Sequence, residues 1–541
     1  MSDPVEQDGK PKQGKQMGRF GGFRLVTPLQ ISGNKFLRKR AQHALVRRDP
    51  RMIDDVQQHQ SGPLVLGTVL MIVGFVGTLG WSLMSPGGLD KNAKIVEDKD
   101  TSALYVRIGS KENSTLNPVL NLTSARLIAG APLNPVRASG AEIAKTPRGN
   151  LVGIPGAPGA IQDSDDPLSV WTVCDVTATG SAVPLDPVSG LPTTAIAPVT
   201  TTVIGGPITQ GEETSLLSGN QARLVGFDDQ TWLIYARPDG ATVRAAVRVT
   251  EPVVADALGL RADDLVLPIS SGLFNAIPAE PPLVAPPIVD VGASPGFASP
   301  RPLAVGTVIK VTDLGGKVTF YAVVKDGVQE VGQVAATMIR AANPQVSAEP
   351  VAVSPDVLAS YPKVHALSVG HYPAGRVQLV SPVREPVTCW SWSHNGNDPT
   401  SKSDIVVGRS LPLTPKQIAS RVQLVASLNP RMKGLVADYS YMPTTTGRFV
   451  ESTGSSADSR RRTGYFWITD AGVRWGLDTT NEGGEKTLSS LGLSHPVTAP
   501  WNALTLFSPA GETLSPADAL QRHDGIARDQ IVAGINPKEL R

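Results

Sequence analysis

The chain has 541 residues, with 50 Lys/Arg against 48 Asp/Glu, and a net charge of +2 gives no sign of a nucleic-acid binder. Only 18% of residues are charged, and 53 Gly with 46 Pro point to short strands, turns and extended linkers rather than long helices. A chain of this length and texture divides into several small domains more readily than it folds as one.

Residues 1–63 form a basic segment. They hold twelve Lys/Arg against six Asp/Glu, seven of the basic residues falling between Lys35 and Arg51. Within it, Ser32–Arg48 predicts a helix with Phe36, Leu37, Ala41, Ala44 and Leu45 on one face and basic residues, Arg38 and Arg40 among them, around it. Such a face suits anionic lipid or a partner's cytoplasmic domain, and its Phe/Leu content favours the partner. No Asp, Glu, Lys or Arg occurs between Asp55 and Asp90, and Leu64–Met84 is almost wholly apolar. A helix over that run rises about 30 Å, enough to cross a bilayer core. The following flank, Ser85–Asp100, has three Lys among four acids. The charge bias therefore puts residues 1–63 in the cytoplasm and 85–541 on the exported side. A cleaved signal peptide fits poorly, because the run starts deep in the chain, is too long and has no A-x-A exit.

The exported region repeats itself. An aromatic-led strand runs into a Gly turn, a second strand and a short helical segment. The clearest copy is Tyr465–Leu477, followed by Leu491-Gly492-Leu493 and Trp501-Asn-Ala-Leu504. A second copy is Trp232–Gly240, followed by Leu258-Gly259-Leu260 and Phe274-Asn-Ala-Ile277. Aligning Trp232 with Trp467 brings the two Leu-Gly-Leu motifs to nearly the same spacing. A third copy is Phe320–Val331, led by Phe320-Tyr321, with Asp326-Gly327 as a hairpin signal and a helix over Val334–Ala342. The first and weakest is Ala103–Ile108 with a helix starting near Asn121 or Thr123 and stopped by Gly130. Trp232, Tyr321 and Trp467 read as core residues of these repeats.

Both cysteines lie in the gaps between copies, in Trp171-Thr-Val-Cys174 and Cys389-Trp-Ser-Trp392. An isolated pair in an oxidising compartment reads as a disulfide, with two buried free thiols as the alternative. Closing so long a loop stabilises the chain by roughly 5 kcal/mol in the entropic model. The expected organisation is repeat 1 at 85–140, the first half of a central domain at 141–218, repeat 2 at 219–285 and a Pro-rich linker at 286–302. Repeat 3 follows at 303–362, the second half of the central domain at 363–432, repeat 4 at 433–515 and a tail at 516–541. The fold class is thus a single-pass membrane protein with a mainly β (α+β) exported region, elongated, with four repeats around a disulfide-linked central domain.

Catalytic motifs are missing. No G-x-x-x-x-G-K-[ST] occurs, and Gly483-Gly484-Glu485-Lys486-Thr487, with Glu before the Lys, reads as a turn opening a helix. Gly292-Ala-Ser-Pro-Gly296 matches G-x-S-x-G, but Pro295 lacks the N–H an oxyanion hole takes from that residue. The histidines have no metal-ligand spacing, and Asp165-Asp166 and Asp263-Asp264 read as solvated loops. Neither a cofactor nor a metal nor a catalytic residue is expected.

Several stretches carry a family resemblance. They are Thr27–Phe36, Ala103–Arg107, Pro118–Leu127, Pro147–Gly149 through Gly153–Pro158, Ser271–Pro278, Thr388-Cys-Trp390, Leu514-Ser515, Asp518–Leu520 and His523-Asp524. In this order they make the chain similar to the EccB component of mycobacterial-type type VII (ESX) secretion systems. The resemblance implies a core subunit of an inner-membrane complex with EccC, EccD and EccE, plus the MycP protease on the exported side. It also implies four repeats resembling a phage-lysin wall-binding module, and a disulfide between Cys174 and Cys389. Self-association through the exported repeats and contact with peptidoglycan fit that architecture. Family members are sometimes labelled ATPases, which the absent P-loop argues against. The competing readings are a nucleotide hydrolase with a noncanonical site and a peptidoglycan-binding anchor.

Overall fold

The computed structural model describes residues 28–49, 58–84, 89–90, 92–110, 113–178, 183–184, 199–211, 213–261, 263–396, 398–444, 447–480 and 484–525. Residues 1–27, Gly483 and the tail from 526 onward, each named above, lie outside them. The chain divides into two compact units at Gly88. The first contains α1 (Pro28–Arg47) and the 27-residue α2 (Gln58–Met84), with Pro63 inside it. Among the described residues no helix is long and apolar enough to cross a membrane.

In the second unit one order of elements occurs four times: three antiparallel strands, a helix and a fourth strand parallel to the first. Each set forms a sheet in the order three-two-one-four. Subunit one has β1 (Ile95–Asp98), β2 (Leu104–Ile108), β3 (Thr115–Pro118), α3 (Leu122–Ala129) and β4 (Val136–Ala138). The chain then supplies β5 (Leu168–Thr177), β6 (Val199–Gly205) and β7 (Thr214–Leu216) to another sheet. Subunit two has β8 (Gln221–Phe227), β9 (Gln230–Ala236), β10 (Thr242–Ala246), α4 (Pro252–Leu258) and β11 (Leu265–Pro268), followed by α5 (Ser271–Ala276). Subunit three has β12 (Val308–Thr312), β13 (Val318–Val324), β14 (Gly327–Val331), α6 (Gln333–Ala342) and β15 (Val351–Ala352). Next come β16 (Gln378–Leu379), β17 (Val387–Asn395), β18 (Lys402–Gly408), β19 (Val422–Gln423) and β20 (Tyr439–Tyr441). Subunit four has β21 (Arg448–Thr453), β22 (Tyr465–Ile468), β23 (Val473–Leu477), α7 (Gly484–Leu491) and β24 (Val497–Pro500), then α8 (Trp501–Leu504).

Local chemistry accounts for the helix ends. Asn121 caps α3 by accepting from the Ser124 N–H at 2.8 Å, and Gly130 ends it at φ 70°. The two Leu-Gly-Leu motifs are C-terminal caps. Gly259 and Gly492 take φ 80° and 70°, and the following Leu260 and Leu493 N–H groups reach back to Ala255 and Leu488 carbonyls. The Leu after each Gly is buried, which fixes how the chain leaves the helix.

Pairs of subunits share cores. Val254 and Leu258 of α4 pack with Val334, Met338 and Ile339 of α6, joining subunits two and three. Leu127 of α3 packs with Leu491, Leu493 and Trp467, joining subunits one and four.

The structure departs from the sequence reading in four places. Each subunit begins with a strand ahead of the aromatic-led hairpin (β1, β8, β12, β21). At Asp326-Gly327 the two-residue turn is Lys325-Asp326, since Val324 pairs with Gly327. Gly327 is needed for space, because a Cβ there would meet the Pro362 carbonyl oxygen at 2.4 Å. The Pro-rich linker at 286–302 lies packed on the subunits it joins: the Gly296 N–H donates to the Lys325 carbonyl at 2.7 Å, and Ile288 packs against the core that subunits two and three share. Finally, β20 joins the sheet of the gap segments although it lies within 433–515, while β16 in 363–432 pairs with β8 of subunit two.

Candidate functional site: the disulfide-stapled central sheet

The gap segments meet in one seven-stranded sheet, ordered β19-β20-β6-β5-β17-β18-β7. β5 and β17 are antiparallel neighbours in a register that sets Trp171 opposite Trp392 and Cys174 opposite Cys389. The blocks Trp-Thr-Val-Cys and Cys-Trp-Ser-Trp are therefore mirror images across one ladder. Cys174 and Cys389 are disulfide-bonded, with Cα atoms 4.0 Å apart, and both are fully buried.

Alternation separates the sulfurs from the indoles. Cys174 and Cys389 face Ile204, Val406, Leu411 and Leu413. Trp171, Val173, Trp390 and Trp392 face the other way, against Phe274, Leu504 and Phe507. Each buried indole removes about 200 Å² from water, worth roughly 5 kcal/mol before entropy is counted. This face holds subunits two and four to the centre.

In both subunits the same device fixes the short helix that meets the central sheet, α5 or α8, to its own subunit's strands. Arg244 on β10 lies 5.0 Å from the Trp232 ring centre and 3.6 Å from that of Phe274. Its Nε donates to the Phe274 and Ile277 carbonyls at 2.8 and 3.1 Å. Arg474 on β23 lies 5.6 Å from Phe466 and 4.7 Å from Trp501, and donates to the Leu504 carbonyl at 2.9 Å. Burial lowers the pKa of both guanidiniums. Between the two, Asn502 Nδ2 donates to the Asn275 carbonyl at 2.8 Å, so α5 and α8 abut.

Strand register corrects the alignment of the copies. Arg244 pairs with Ile234 and Arg474 with Ile468, so Trp232 corresponds to Phe466 and not to Trp467. Trp467 points to the opposite side and is buried beside α3 and α7. Trp232 and Tyr321 are half-buried. The former faces the central core, and the latter packs beside Val323 and Tyr361 with Lys363 Nζ 4.7 Å from its ring.

Two buried ionic groups lie at the junctions. Asp175, next to Cys174, accepts from Thr201 Oγ1 (2.9 Å), Ser270 Oγ (2.8 Å) and the Ser270 N–H (2.7 Å). Burial pushes its carboxyl up to about 6 despite these donors, with nearby Asp438 adding to the rise. Ser270 is the N-cap of α5, so this contact ties the central sheet to subunit two. Arg223 on β8 is buried and donates to the Glu385 carbonyl at 2.8 Å, pinning the segment that carries the chain into β17. Burial pushes its guanidinium down to about 10, with the Glu385 charge opposing the change. Sequence reasoning missed Arg244, Arg474, Asp175 and Arg223. The Val-Arg pair in the third strand of both clear copies was the available signal for the first two.

The motif candidates fall where turns were expected. Gly484 opens α7, with Lys486 in its first turn and β23 ending at Leu477. Residues 292–296 have no regular strand before them and no helix after. A cleft of about 500 Å³ between the central sheet and subunit four is lined by Trp171, Gly205, Met442, Gly447, Arg448 and Trp467. Arg448 there already donates to Ser164 Oγ and the Asp166 and Leu168 carbonyls. His523 bonds the Gly153 carbonyl, His394 bonds Thr498 and the Asp398 carbonyl, and His495 lies against Asp163 and Asp165. On α1, Phe36, Leu37 and Leu45 are 44%, 60% and 82% exposed, and Arg38 and Arg40 are exposed too.

The family model described as the type VII secretion system ESX-1 transport TM domain B matches residues 23–528. The chain belongs to the EccB family. It is 38% identical over 509 residues to the ESX-3 secretion system ATPase EccB3 of Mycolicibacterium smegmatis, covering 93% of this chain and 92% of that one. It is 34% identical over 523 residues to the ESX-5 secretion system ATPase EccB5 of Mycobacterium tuberculosis, covering 96% and 98%. Among solved structures, a chain of an intact ESX-5 inner membrane complex matches this EccB chain with a TM-score of 0.69 and 32% identity, over 96% of this chain and all of that one. The EccB3 dimer from the ESX-3 core complex matches with a TM-score of 0.65 and 34% identity, over 80% of this chain and all of that one.

Proposed function

We propose that this EccB chain is a structural core subunit of a type VII (ESX) secretion complex in the inner membrane, building its periplasmic assembly. The observation that carries the reading is the central sheet, which gathers segments from both gaps and presents a tryptophan face on which subunits two and four dock. Such a body serves assembly rather than turnover. The four subunits are repeats of one module, and α2 with the apolar run to Met84 forms a single span, residues 1–63 being cytoplasmic and 85–541 periplasmic. The uncharged run and the basic bias before it support that topology.

The exposed α1 residues Phe36, Leu37, Arg38, Arg40 and Leu45 form a cytoplasmic docking surface for a neighbouring membrane subunit. EccC, EccD and EccE, with MycP in the periplasm, are the expected partners. Copies of the chain associate through the exported region, as the ESX-3 relative's dimer suggests by analogy. The relatives are named as ATPases, yet Lys486 lies in a helix opening of another kind than a phosphate loop. We read the chain as a scaffold without its own hydrolytic site.

Gentle-detergent affinity purification of tagged full-length protein from native membranes, with mass spectrometry of the bound chains, tests this. A large particle containing EccC, EccD and EccE is expected. Recovery of the chain alone, or with wall fragments only, would sink the stable-subunit reading.

A further inference from the structure

We propose that two copies of this chain meet through hairpin tips of opposite charge, Arg460-Arg461 of subunit four on one copy against Asp228-Asp229 of subunit two on the other. The inference rests on the self-association proposed above and names its surface.

The two tips occupy the same place in the module, the turn between the first and second strands. In subunit four that turn is long, residues 454–464, and it is held in shape. The Ser401 N–H donates to the Ala457 carbonyl at 2.9 Å, and the Gly454 N–H to Ser459 Oγ at 3.1 Å. Arg462 donates to Thr453 Oγ1 at 2.9 Å and pairs with Glu451 at 3.1 Å. The loop therefore presents Arg460 and Arg461 outward, both exposed and with no ion pair among the described residues. With Arg462 paired to Glu451, exposed Asp458 offsets one of the two remaining arginine charges and the tip stays positive.

In subunit two the same turn is only Asp228-Asp229, since Phe227 pairs with Gln230. Both aspartates are exposed, with no ion pair among the described residues. Both sit at φ 54°, where Asn-Gly is the easier choice, so the tip keeps two negative charges against the backbone's preference. The equivalent turns in subunits one and three mix signs: Lys99 with Asp100, and Asp313 with Lys317. Only subunits two and four present opposite charges of a single net sign.

In an isologous pair each copy offers both tips, so the contact forms twice around the two-fold axis. Exposed charges of this kind steer encounter and fix register more than they hold partners together, and they weaken with salt. The second copy is the partner to which this surface is fitted.

The test uses full-length protein carrying two different tags, co-expressed and purified in gentle detergent at low salt. Asp229→Cys on one copy and Arg461→Cys on the other should give a disulfide between differently tagged chains, in a yield that falls as salt rises. The native cysteines are already paired, which keeps the background low. Reversing one tip, with Arg460→Glu/Arg461→Glu or with Asp228→Lys/Asp229→Lys, should slow association roughly tenfold. Both reversals in one chain should restore it. All four substituted side chains are exposed, so folding is not at stake, and the intact Cys174–Cys389 bridge checks it. Unchanged association in every charge variant, with no cross-link, overturns the tip contact while leaving self-association standing. Failure of the unaltered copies to co-purify overturns the self-association reading itself, and this inference with it.

Discussion

Asp175→Asn isolates one buried charge and gives a signed pH dependence. A carboxyl whose pKa rises from 3.8 to about 6 on folding makes the ionised form less stable in the native state. At about 1.4 kcal/mol per pH unit, the difference is about 3 kcal/mol. The sign follows from proton binding. Between pH 4 and 6 the native state holds a proton that the unfolded chain has released, so stability falls as pH rises through this window. Below 3.8 both states are protonated and above about 6 both are ionised, so the contribution is flat on either side. Asn fits the site once its amide is oriented suitably. Its oxygen accepts from the Ser270 N–H, and its nitrogen faces the Thr201 and Ser270 hydroxyls, which rotate to accept. Urea unfolding of full-length protein in detergent, followed by fluorescence of the buried Trp171, Trp390 and Trp392, would be run from pH 4 to 8. The wild-type-minus-variant difference should decline by about 3 kcal/mol across pH 4–6 and stay level above. Parallel profiles for the two proteins throughout would refute the argument, because Asp175 would then titrate alike in folded and unfolded chains.

Further expectations concern the staple, the clamps and the ATPase label. Cys174→Ser and Cys389→Ser should each lower stability by up to about 5 kcal/mol and reduce complex assembly and secretion, read by blue-native gels and by export of substrate. Normal assembly in both would remove the bridge from the mechanism. Arg474→Ala should destabilise by about 2–4 kcal/mol, because it removes the guanidinium between Phe466 and Trp501 together with its bond to the Leu504 carbonyl. Arg474→Lys should recover only some of that, and equal stability of all three in thermal unfolding would count against the clamp. Any nucleotide hydrolysis that copurifies with the chain should be unchanged by Lys486→Ala; its loss would reopen the enzymatic reading.

What the sequence could disclose depended on whether a feature was local. The α3 limits were readable because an Asn cap and a Gly stop act within one helix turn. Leu-Gly-Leu was readable as a repeat mark for the same reason, since a left-handed Gly followed by a buried Leu is a complete local solution to ending a helix. The leading strands β1, β8, β12 and β21 were not readable. They lie between two partners in their sheets, and nothing in a short run such as Ile95–Asp98 distinguishes it from a loop. The error at Trp232 is the most instructive. Spacing alone aligned it with Trp467, but a one-residue offset in a strand exchanges faces, and only the pairing of Arg244 with Ile234 and of Arg474 with Ile468 fixes the offset. The mirrored Trp and Cys blocks have the same character. Each reads as an apolar strand with a thiol, and their relation exists only once β5 and β17 are antiparallel and in register. The buried charges were the hardest to see, because Asp175 and Arg223 are unusual only through what covers them. The structural task of this chain therefore rests on long-range register. A chain that holds distant segments in one sheet writes its function in pairings between remote residues, which is why motif searches built on local spacing return turns.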